Sequence, residues 1–305
     1  MKHLFVVNPK AGIKDSSEKI IEEIKNRFVD DEYYVHLTLK SGEAIEFVRN
    51  YLQEHSDETV RVYSCGGDGT LNEVVNGVYG FKNAEITCYP CGSGNDFLKC
   101  FNNNEKFLDI DSLLRGTAIF SDVLKVNGRY TLNIFNIGVD SNVVVKQKKI
   151  KKWPLVNGKM AYKLGLMSAF FGKISSTYKL TIDDEIIYDG KGMLCAIANG
   201  ICYGGGYYCA PNAKIDDGLL DVCLVKKVSR LNFLSMVGKY KKGKHLEDKR
   251  VKKHIIYKQG HKVHLELDKE LPYSIDGEII FSKTIDVEVI PHCIKFVIPT
   301  ECKEM

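Results

Sequence analysis

The residues best suited to chemistry in this chain form a glycine-rich segment around one aspartate. Cys65–Glu73 reads CGGDGTLNE, follows a predicted strand and opens a predicted helix. Glycines let the backbone approach a ligand closely and adopt positive φ, and the free N–H groups of a helix N-terminus attract an anion. A simple Gly-Gly-Asp-Gly turn is the alternative, but a turn does not require the Thr-x-Asn that follows. The segment predicts a phosphate-binding loop.

Three further polar segments follow predicted strands in the first hundred residues. They are Asn8–Gly12, then Thr38 with Lys40–Gly42, and finally Cys91–Asp96. Ligands of open α/β sheets bind at the carboxyl ends of the strands, so these segments together predict a nucleotide site. The spacing matches neither a Walker A loop nor the dinucleotide fingerprint.

The elements that position these segments alternate between strand-like and helical patterns. The predicted strands are Leu4–Val7, Tyr33–Leu39, Val60–Ser64 and Ile86–Tyr89. The predicted helices are Ser16–Phe28, Gly42–Leu52 and Leu71–Val78. This βαβαβαβ order predicts a parallel sheet with helices on both faces.

The pattern changes near residue 120, where short turn-punctuated strands take over. They are Tyr130–Ile137, Tyr178–Ile187, Met193–Ala198, Leu219–Val225, Lys262–Leu267 and Ile285–Ile290. Such a succession predicts an antiparallel sandwich or barrel, interrupted by helical stretches around Lys159–Phe171 and Leu231–Tyr240. The last strand, Ile294–Ile298, is assigned to the first domain. We therefore predict one domain over 1–122 with 291–305, and a second over 123–290.

Composition narrows the function classes. The 305 residues are 44% hydrophobic and 27% charged, which excludes a disordered chain, and a net charge of +4 argues against a nucleic-acid partner. Several of the ten cysteines lie in apolar runs, which favours free buried thiols over disulfides or zinc. No apolar run is long enough to span a membrane, and the N-terminal apolar stretch is too short for a signal peptide. The expectation is a cytoplasmic protein.

The motifs, taken in order, resemble the catalytic domain of diacylglycerol kinases, which sphingosine, ceramide and soluble bacterial lipid kinases share. The resemblance rests on NPKAG at Asn8–Gly12, GGDGTLNE at Gly66–Glu73 and GSGND at Gly92–Asp96. It continues through Ser121-Asp122, Asn199-Gly200, Gly204–Gly206, Ala213–Leu219 and Ile275–Glu278. It covers nearly the whole chain. It implies an N-terminal α/β domain akin to NAD kinases and phosphofructokinases, followed by a β-sandwich, with ATP between them.

The resemblance also implies roles for individual residues. The expected ATP-binding residues are Asn8, Pro9, Lys10, Ala11, Gly12, Thr38, Gly66, Gly67, Asp68, Gly69, Thr70, Leu71, Asn72, Ser93, Asn95 and Asp96. The expected catalytic acids are Asp68, Asp122, Asp276 and Glu278, of which Glu278 is the general base and Asp68, Asp96 and Asp122 belong to the nucleotide and magnesium network. Without the resemblance, Asp276-Gly277 is equally consistent with a hairpin turn.

A structural magnesium site is implied at Lys214–Leu219. The ligands would be the carboxylate of Asp217 and the backbone carbonyls of Lys214 and Leu219, while Asp216 competes for the side-chain role. Magnesium prefers oxygen ligands of this kind. The alternative is an ordinary Asp-Gly turn with solvated acids.

Two lysine-rich segments are candidates for contact with a membrane. Lys146–Lys152 precedes Trp153, and Lys239–Lys253 carries eight basic residues against two acids. Lysine clusters bind anionic bilayers, although a solvated helix face is the alternative. Met160–Phe171 is either core or the lining of an acyl-chain slot. The bacterial relatives also imply a homodimer.

The expected activity is an ATP-dependent lipid kinase that uses Mg²⁺ and converts diacylglycerol to phosphatidic acid at a membrane surface. Another lipid alcohol, such as a long-chain base, stays open as the acceptor. A soluble acceptor such as NAD also stays open. A different function, that of a nucleotide-binding regulator without turnover, is a further alternative. The four acids Asp68, Asp122, Asp276 and Glu278 argue against the regulator hypothesis, because a protein without turnover does not need them.

Overall fold

The computed structural model describes residues 1–12, 15–28, 32–139, 141–142, 145, 175–276 and 278–305. The predicted helical stretch Lys159–Phe171, the lysine run 146–152 and Gly277 lie outside the described residues.

The N-terminal part is a parallel sheet covered by amphipathic helices. Its strands are β1 (Lys2–Val7), β2 (Tyr33–Leu37), β3 (Val60–Gly66) and β4 (Ala84–Pro90). Its helices are α1 (Ser17–Lys25), α2 (Glu43–Glu54), α3 (Asp68–Val78) and α4 (Ile110–Leu114). The strand order is β4-β3-β1-β2, all parallel. The sheet therefore brings every strand-end loop to one edge.

Helical periodicity explains how these helices pack. In α2 the buried residues are Ala44, Val48 and Leu52, which repeat every four residues and so form one stripe. β3 is buried along its whole length, as expected for a central parallel strand with helices on both faces.

The rest of the described chain is mostly antiparallel. Its strands are β5 (Thr117–Val126), β6 (Arg129–Thr131), β7 (Ile134–Gly138), β8 (Ser176–Ile182), β9 (Glu185–Ala198), β10 (Leu220–Lys226), β11 (Ile255–Gly260), β12 (Lys262–Ile275) and β13 (Glu278–Ile298). Two helices lie between β10 and β11: α5 (Arg230–Lys241) and α6 (Lys249–Lys252).

The long strands β9 and β12 close this antiparallel part around its own core. Each pairs with β7 over one half and with β8 over the other. A second hydrophobic core, separate from the core beneath the parallel sheet, fills the enclosed space. Phe135, Tyr178 and Tyr273 are among its largest members. The structure thus confirms the predicted fold class, an α/β domain with an antiparallel β-sandwich-like domain.

β5 and β13 run across the predicted domain boundary. β13 pairs with β12 in its first half, while Phe296 near its end pairs in parallel with Ile86 of β4. β5 pairs with β13 on both sides of a register shift between Ile290 and Ile294. The predicted boundary near residues 122 and 291 therefore falls inside two continuous strands, at the irregularity in their pairing.

Several predicted segments have different limits in the structure. Tyr178–Ile187 is a hairpin, not one strand, because Asp183 and Asp184 adopt positive φ and form its turn. Tyr130–Ile137 is divided between β6 and β7, and Ile285–Ile290 and Ile294–Ile298 are parts of β13. The helix predicted from Leu71 begins at Asp68. All ten cysteines are free thiols, as expected.

Candidate active site

A cleft of about 480 Å³ lies at the carboxyl ends of the parallel strands. This volume is in the range of small-ligand sites. The lining residues come from the four segments at the strand ends and from the end of β12. They are Asn8, Lys10, Ala11, Gly12, Thr38, Leu39, Lys40, Ser41, Gly67, Asp68, Gly69, Thr70, Glu73, Gly92, Ser93, Gly94 and Asp276.

Most of the predicted nucleotide-binding residues line this cleft. Those that do not are Pro9, Gly66, Leu71, Asn72, Asn95 and Asp96. Leu71 and Asp96 are buried. Asn72 donates a hydrogen bond to the lining residue Asp276, and the backbone N–H groups of Asn95 and Asp96 donate to the lining residue Asp68. The prediction omitted Leu39, Lys40, Ser41, Glu73, Gly92 and Gly94. All of these except Leu39 belong to the strand-end segments that the sequence analysis singled out, and Leu39 follows Thr38 directly.

Asn8 organises the loop after β1. Its side-chain amide donates to Thr70 Oγ1 (3.0 Å), and its side-chain oxygen accepts from the backbone N–H of Lys10 (3.0 Å). One side chain therefore joins the β1 loop to the first turn of α3.

Two glycines are required because the loops touch backbone to backbone. A Cβ at Gly12 would lie 2.4 Å from the carbonyl oxygen of Cys91, and Gly12 has a φ of +80°. A Cβ at Gly92 would lie 2.5 Å from the Cα of Gly67. No real Cβ makes such contacts, so a larger residue at either position would separate the loops.

The electrostatics of the cleft suit a phosphate group. The first turn of α3 contributes Asp68, Gly69 and Thr70 to the lining, and the N-terminus of an eleven-residue helix attracts anions. Lys10 and Lys40 are the cationic side chains among the described lining residues.

Glu73 holds the start of helix α2 in place beside the cleft. Its carboxylate accepts hydrogen bonds from the backbone N–H groups of Gly42 (2.8 Å) and Ala44 (3.3 Å) and from Ser41 Oγ (3.2 Å). These N–H groups at the start of α2 have no partner within the helix. Glu73 therefore caps α2 from outside and fixes the loop after β2.

Asp68 joins the first helical turn to the loop after β4. Its carboxylate accepts from the backbone N–H groups of Asn95 (2.9 Å) and Asp96 (2.6 Å). Burial and the neighbouring Asp96 raise the pKa of Asp68, while the two N–H donors act in the opposite direction.

Asp96 faces away from the cleft, toward the antiparallel domain. Lys99 donates to its carboxylate, as does the backbone N–H of Gly205 (2.8 Å). Asp96 is buried. It therefore connects the nucleotide-side loop to the Tyr203–Tyr207 segment, in which all three glycines have positive φ.

Asp276, the first residue of the Asp-Gly-Glu motif, lines the cleft. Its Oδ2 accepts from Asn72 (2.9 Å) and from the hydroxyl of Thr131. Burial raises the pKa of Asp276 to about 7; Asp68 and Asp96 add to the increase, and the Thr131 and Asn72 hydrogen bonds oppose it. A carboxylate with such a pKa can accept a proton near neutral pH.

Glu278 lies outside the cleft lining in this conformation. Its carboxylate is half-exposed and forms an ion pair with Arg129 at 2.9 Å. The structure thus places the two acids of the motif in different environments, one facing the cleft and one paired at the surface.

Asp122 does not line the cleft, and its role in the nucleotide and magnesium network stays a prediction. It is fully buried, and its carboxylate accepts from the backbone N–H groups of Gly218 (2.6 Å) and His292 (2.7 Å). These donors lie in the loop before β10 and at the irregularity of β13. Asp122 therefore joins the two places where backbone groups leave regular strand pairing.

The predicted structural magnesium site lies in this same loop. Asp217 is exposed and accepts from the backbone N–H of Leu219 (3.0 Å), while the side chain of His292 contacts the carbonyl of Asp216 (2.8 Å). Within the described residues, no group of three or more His, Cys, Asp or Glu side chains could hold a metal ion. A site made largely of carbonyls stays a prediction.

Comparison with known proteins agrees with this arrangement. The sequence model of the diacylglycerol kinase catalytic domain matches residues 2–126, and that of the YegS C-terminal NAD kinase beta sandwich-like domain matches residues 133–298. The chain is 30% identical over 269 residues to a protein of Shewanella frigidimarina named as a YegS-like lipid kinase, covering 86% of this chain and 84% of that one.

Two further similarities also extend over nearly the whole length. The diacylglycerol kinase of Bacillus subtilis is 26% identical over 279 residues, covering 90% of this chain and 88% of the relative. A solved structure from Bacillus anthracis, assigned to the diacylglycerol kinases, is 25% identical, covers 97% of this chain and 96% of its own, and has a TM-score of 0.74. The chain belongs to the family that carries the diacylglycerol kinase catalytic domain, and it is a kinase of the lipid kinase type.

Proposed function

We propose that this protein transfers the γ-phosphate of ATP to the hydroxyl of diacylglycerol and so forms phosphatidic acid. The observation that carries the proposal is the cleft, where three glycine-containing loops, a helix N-terminus and two lysines meet the carboxylates of Asp68 and Asp276. The names of the Bacillus relatives support diacylglycerol as the acceptor.

The cleft fits a nucleoside triphosphate. Backbone groups of the glycine loops and the side chains of Lys10 and Lys40 would bind the phosphates, since phosphate sites are built from such donors. Leu39 is 75% exposed at the rim and offers an apolar contact for the base. Thr38 and Ser93 line the cleft with hydroxyl groups.

The donor set also fits Mg²⁺. Asp68 presents its carboxylate to the cleft, the ligand type that magnesium takes together with water and substrate phosphates. When bound, the ion would neutralise charge on the phosphates. The loop at Lys214–Leu219 is retained as a second, structural site.

The acceptor hydroxyl must lose a proton as its oxygen attacks the γ-phosphorus. Asp276 faces the cleft with its pKa near 7, so it is placed to orient the hydroxyl and take the proton. Glu278 can take this role only if its ion pair with Arg129 opens. Positioning and charge neutralisation supply most of the rate enhancement in phosphoryl transfer.

The test is transfer of label from γ-³²P-ATP, and from γ-³²P-GTP in parallel, to lipids in mixed micelles with Mg²⁺. The lipids are diacylglycerol, monoacylglycerol, a long-chain base and undecaprenol, and NAD serves as a soluble acceptor. We expect label on diacylglycerol with ATP as donor. Label only on NAD, or ATP binding without transfer to any acceptor, contradicts the proposal.

A further inference from the structure

The loop after β2, Thr38–Gly42, forms one rim of the cleft, and its first four residues line the cleft. Of the described strands, β2 pairs with β1 alone, so it is an edge strand of the sheet. A loop that follows an edge strand has a neighbouring loop on one side only. That neighbour, the loop after β1, contacts the rim loop through Lys10, whose Nζ donates to the carbonyl of Leu39 (3.4 Å). Further contacts must therefore fix the backbone of the rim loop.

Glu43, the first residue of α2, supplies such contacts. Its Oε2 accepts from the backbone N–H groups of Leu39 (3.2 Å) and Lys40 (3.3 Å). Its Oε1 lies 3.2 Å from His36 Nε2, and the ring of His36 stacks on that of Phe47 with 3.6 Å between the ring centres. Burial lowers the pKa of His36 and Glu43 opposes the decrease, so the imidazole is neutral at neutral pH. The carboxylate of Glu43 is thus itself held by a side chain of β2.

Glu43 and Glu73 hold successive parts of the rim loop. Glu73 binds the end of the loop and the start of α2, whereas Glu43 binds Leu39 and Lys40. Leu39 is the exposed apolar side chain offered to the base of the nucleotide. The flexible four-carbon side chain of Lys40 lets its ammonium group reach a phosphate even if the backbone shifts. The contacts of Glu43 therefore bear on the nucleoside end of ATP more than on its phosphates.

We propose that Glu43, supported by His36, is a positioning residue that fixes the rim loop for the base and ribose of ATP. Neither side chain lines the cleft, so both act through the backbone of Leu39 and Lys40 and not by touching the nucleotide. This inference rests on the proposed function for its nucleotide, but nucleotide binding can be measured without any lipid acceptor.

The experiment is isothermal titration calorimetry of the full-length protein with ATP and, separately, with inorganic tripolyphosphate, both with Mg²⁺. We expect Glu43→Ala to bind ATP about 10-fold more weakly. It should bind tripolyphosphate at least as tightly as the wild type, because a negative charge has been removed near the anion. Unchanged tripolyphosphate binding also shows that the variant is folded.

Three further variants distinguish hydrogen bonding from charge. Glu43→Gln keeps a side-chain oxygen that can accept from both N–H groups, so it should bind ATP within about 2-fold of the wild type. His36→Phe keeps the stacked ring but loses the contact with Glu43, and should bind ATP about 3-fold more weakly. The matched control is Glu46→Ala, which removes an exposed glutamate from the same turn of α2 and should bind both ligands like the wild type.

Equal ATP affinity in Glu43→Ala and the wild type would overturn the positioning role. So would an equal loss of ATP and tripolyphosphate binding, or a loss in Glu43→Gln as large as that in Glu43→Ala. The label-transfer assay with diacylglycerol separates this role from the proposed function. A protein that shows the expected binding pattern but phosphorylates no lipid would overturn the proposed function and support the role of Glu43.

Discussion

Three aspartates near the cleft differ in the groups that hold them. Asp68 accepts from two backbone N–H groups, and Asp96 accepts from a lysine and a backbone N–H. Among the described residues, the donors to Asp276 are an amide and a hydroxyl. Because neutral side-chain donors stabilise a carboxylate less than a cation does, burial dominates at Asp276. The result is a carboxyl group at Asp276 whose pKa is about 7, while the backbone donors to Asp68 oppose the rise that burial causes there.

Asp276→Asn should stabilise the protein at alkaline pH. The pKa of Asp276 is about 7 in the folded protein but about 4 in an unfolded chain. The contribution of Asp276 to the free energy of unfolding of the wild type is therefore complete below about pH 4 and is lost as pH rises through 7. The quantity to compare is the Tm of the variant minus the Tm of the wild type at the same pH. We expect this difference to increase by about 2–4 °C from pH 5 to pH 8, measured by differential scanning calorimetry.

The matched control for this titration is Asp189→Asn, at an exposed aspartate. Its Tm difference from the wild type should be the same at both pH values. A Tm difference for Asp276→Asn that does not change between pH 5 and pH 8 would show that Asp276 does not titrate in this range in the folded protein.

The loops at the strand ends work as a set because they touch one another. Gly92 lies against Gly67, Gly12 lies against Cys91, and Asn8 bonds Thr70. These contacts fix the distances between groups that would bind one triphosphate. A change in one loop should therefore affect nucleotide binding more than it affects folding.

Gly92→Ala tests this dependence. The added Cβ would lie 2.5 Å from the Cα of Gly67, so the two loops must separate. We expect ATP to bind about 10-fold more weakly or worse, measured by isothermal titration calorimetry. Gly238→Ala in α5 is the control, because its Cβ would meet nothing within 4 Å. Equal ATP affinity in Gly92→Ala and the wild type would mean that this loop contact does not shape the site.

The sequence predicted the elements of the parallel sheet well because each carries a clear period. Ala44, Val48 and Leu52 repeat at helical spacing, and β1, β3 and β4 are short apolar runs with a glycine or proline at or just after their ends. The ends were less accurate. Asp68 begins α3 inside the glycine motif, where a turn and a helix start have the same composition.

The antiparallel part was harder to predict because its contacts are distant in sequence. The turn at Asp183 is fixed by N–H groups of His261 and Lys262, 78 and 79 residues away. β13 continues through its irregularity because Asp122 binds the N–H of His292. Asp122 also accepts from the backbone N–H of Gly218 in the loop predicted to hold magnesium, a contact across 96 residues that local sequence patterns do not reveal.

At the scale of the whole molecule, the two domains share strands rather than a linker. β5 and β13 belong to both, so the parallel sheet and the antiparallel part are held as one unit. The Asp96–Gly205 contact is a second connection, on the side of the cleft. No helix in the described part of the chain has the length and apolar character needed to cross a membrane.

Lys99→Gln should loosen this second connection. Asp96 would lose its cation while Gly205 still donates to it, so the Tyr203–Tyr208 segment would be held less firmly. We expect the KM for diacylglycerol in mixed micelles to rise about 10-fold with little change in the KM for ATP. Lys99→Arg should restore most of the loss, and Lys82→Gln, at an exposed lysine, should have no effect. A rise in the KM for ATP alone would contradict this role.

The central claim is that phosphoryl transfer to a lipid hydroxyl takes place in the cleft with Asp276 as the proton acceptor. The most direct measurement is the initial rate of ³²P transfer from ATP to diacylglycerol for the wild type, Asp276→Asn and Glu278→Gln between pH 5 and pH 9. We predict a wild-type rate that falls as pH decreases through about 7 and a loss of about 100-fold or more in Asp276→Asn. Glu278→Gln, which breaks the ion pair with Arg129 at the surface, should retain most of the activity and the same pH profile. Near-wild-type transfer by Asp276→Asn, with transfer abolished in Glu278→Gln, would contradict the claim and assign the proton to Glu278.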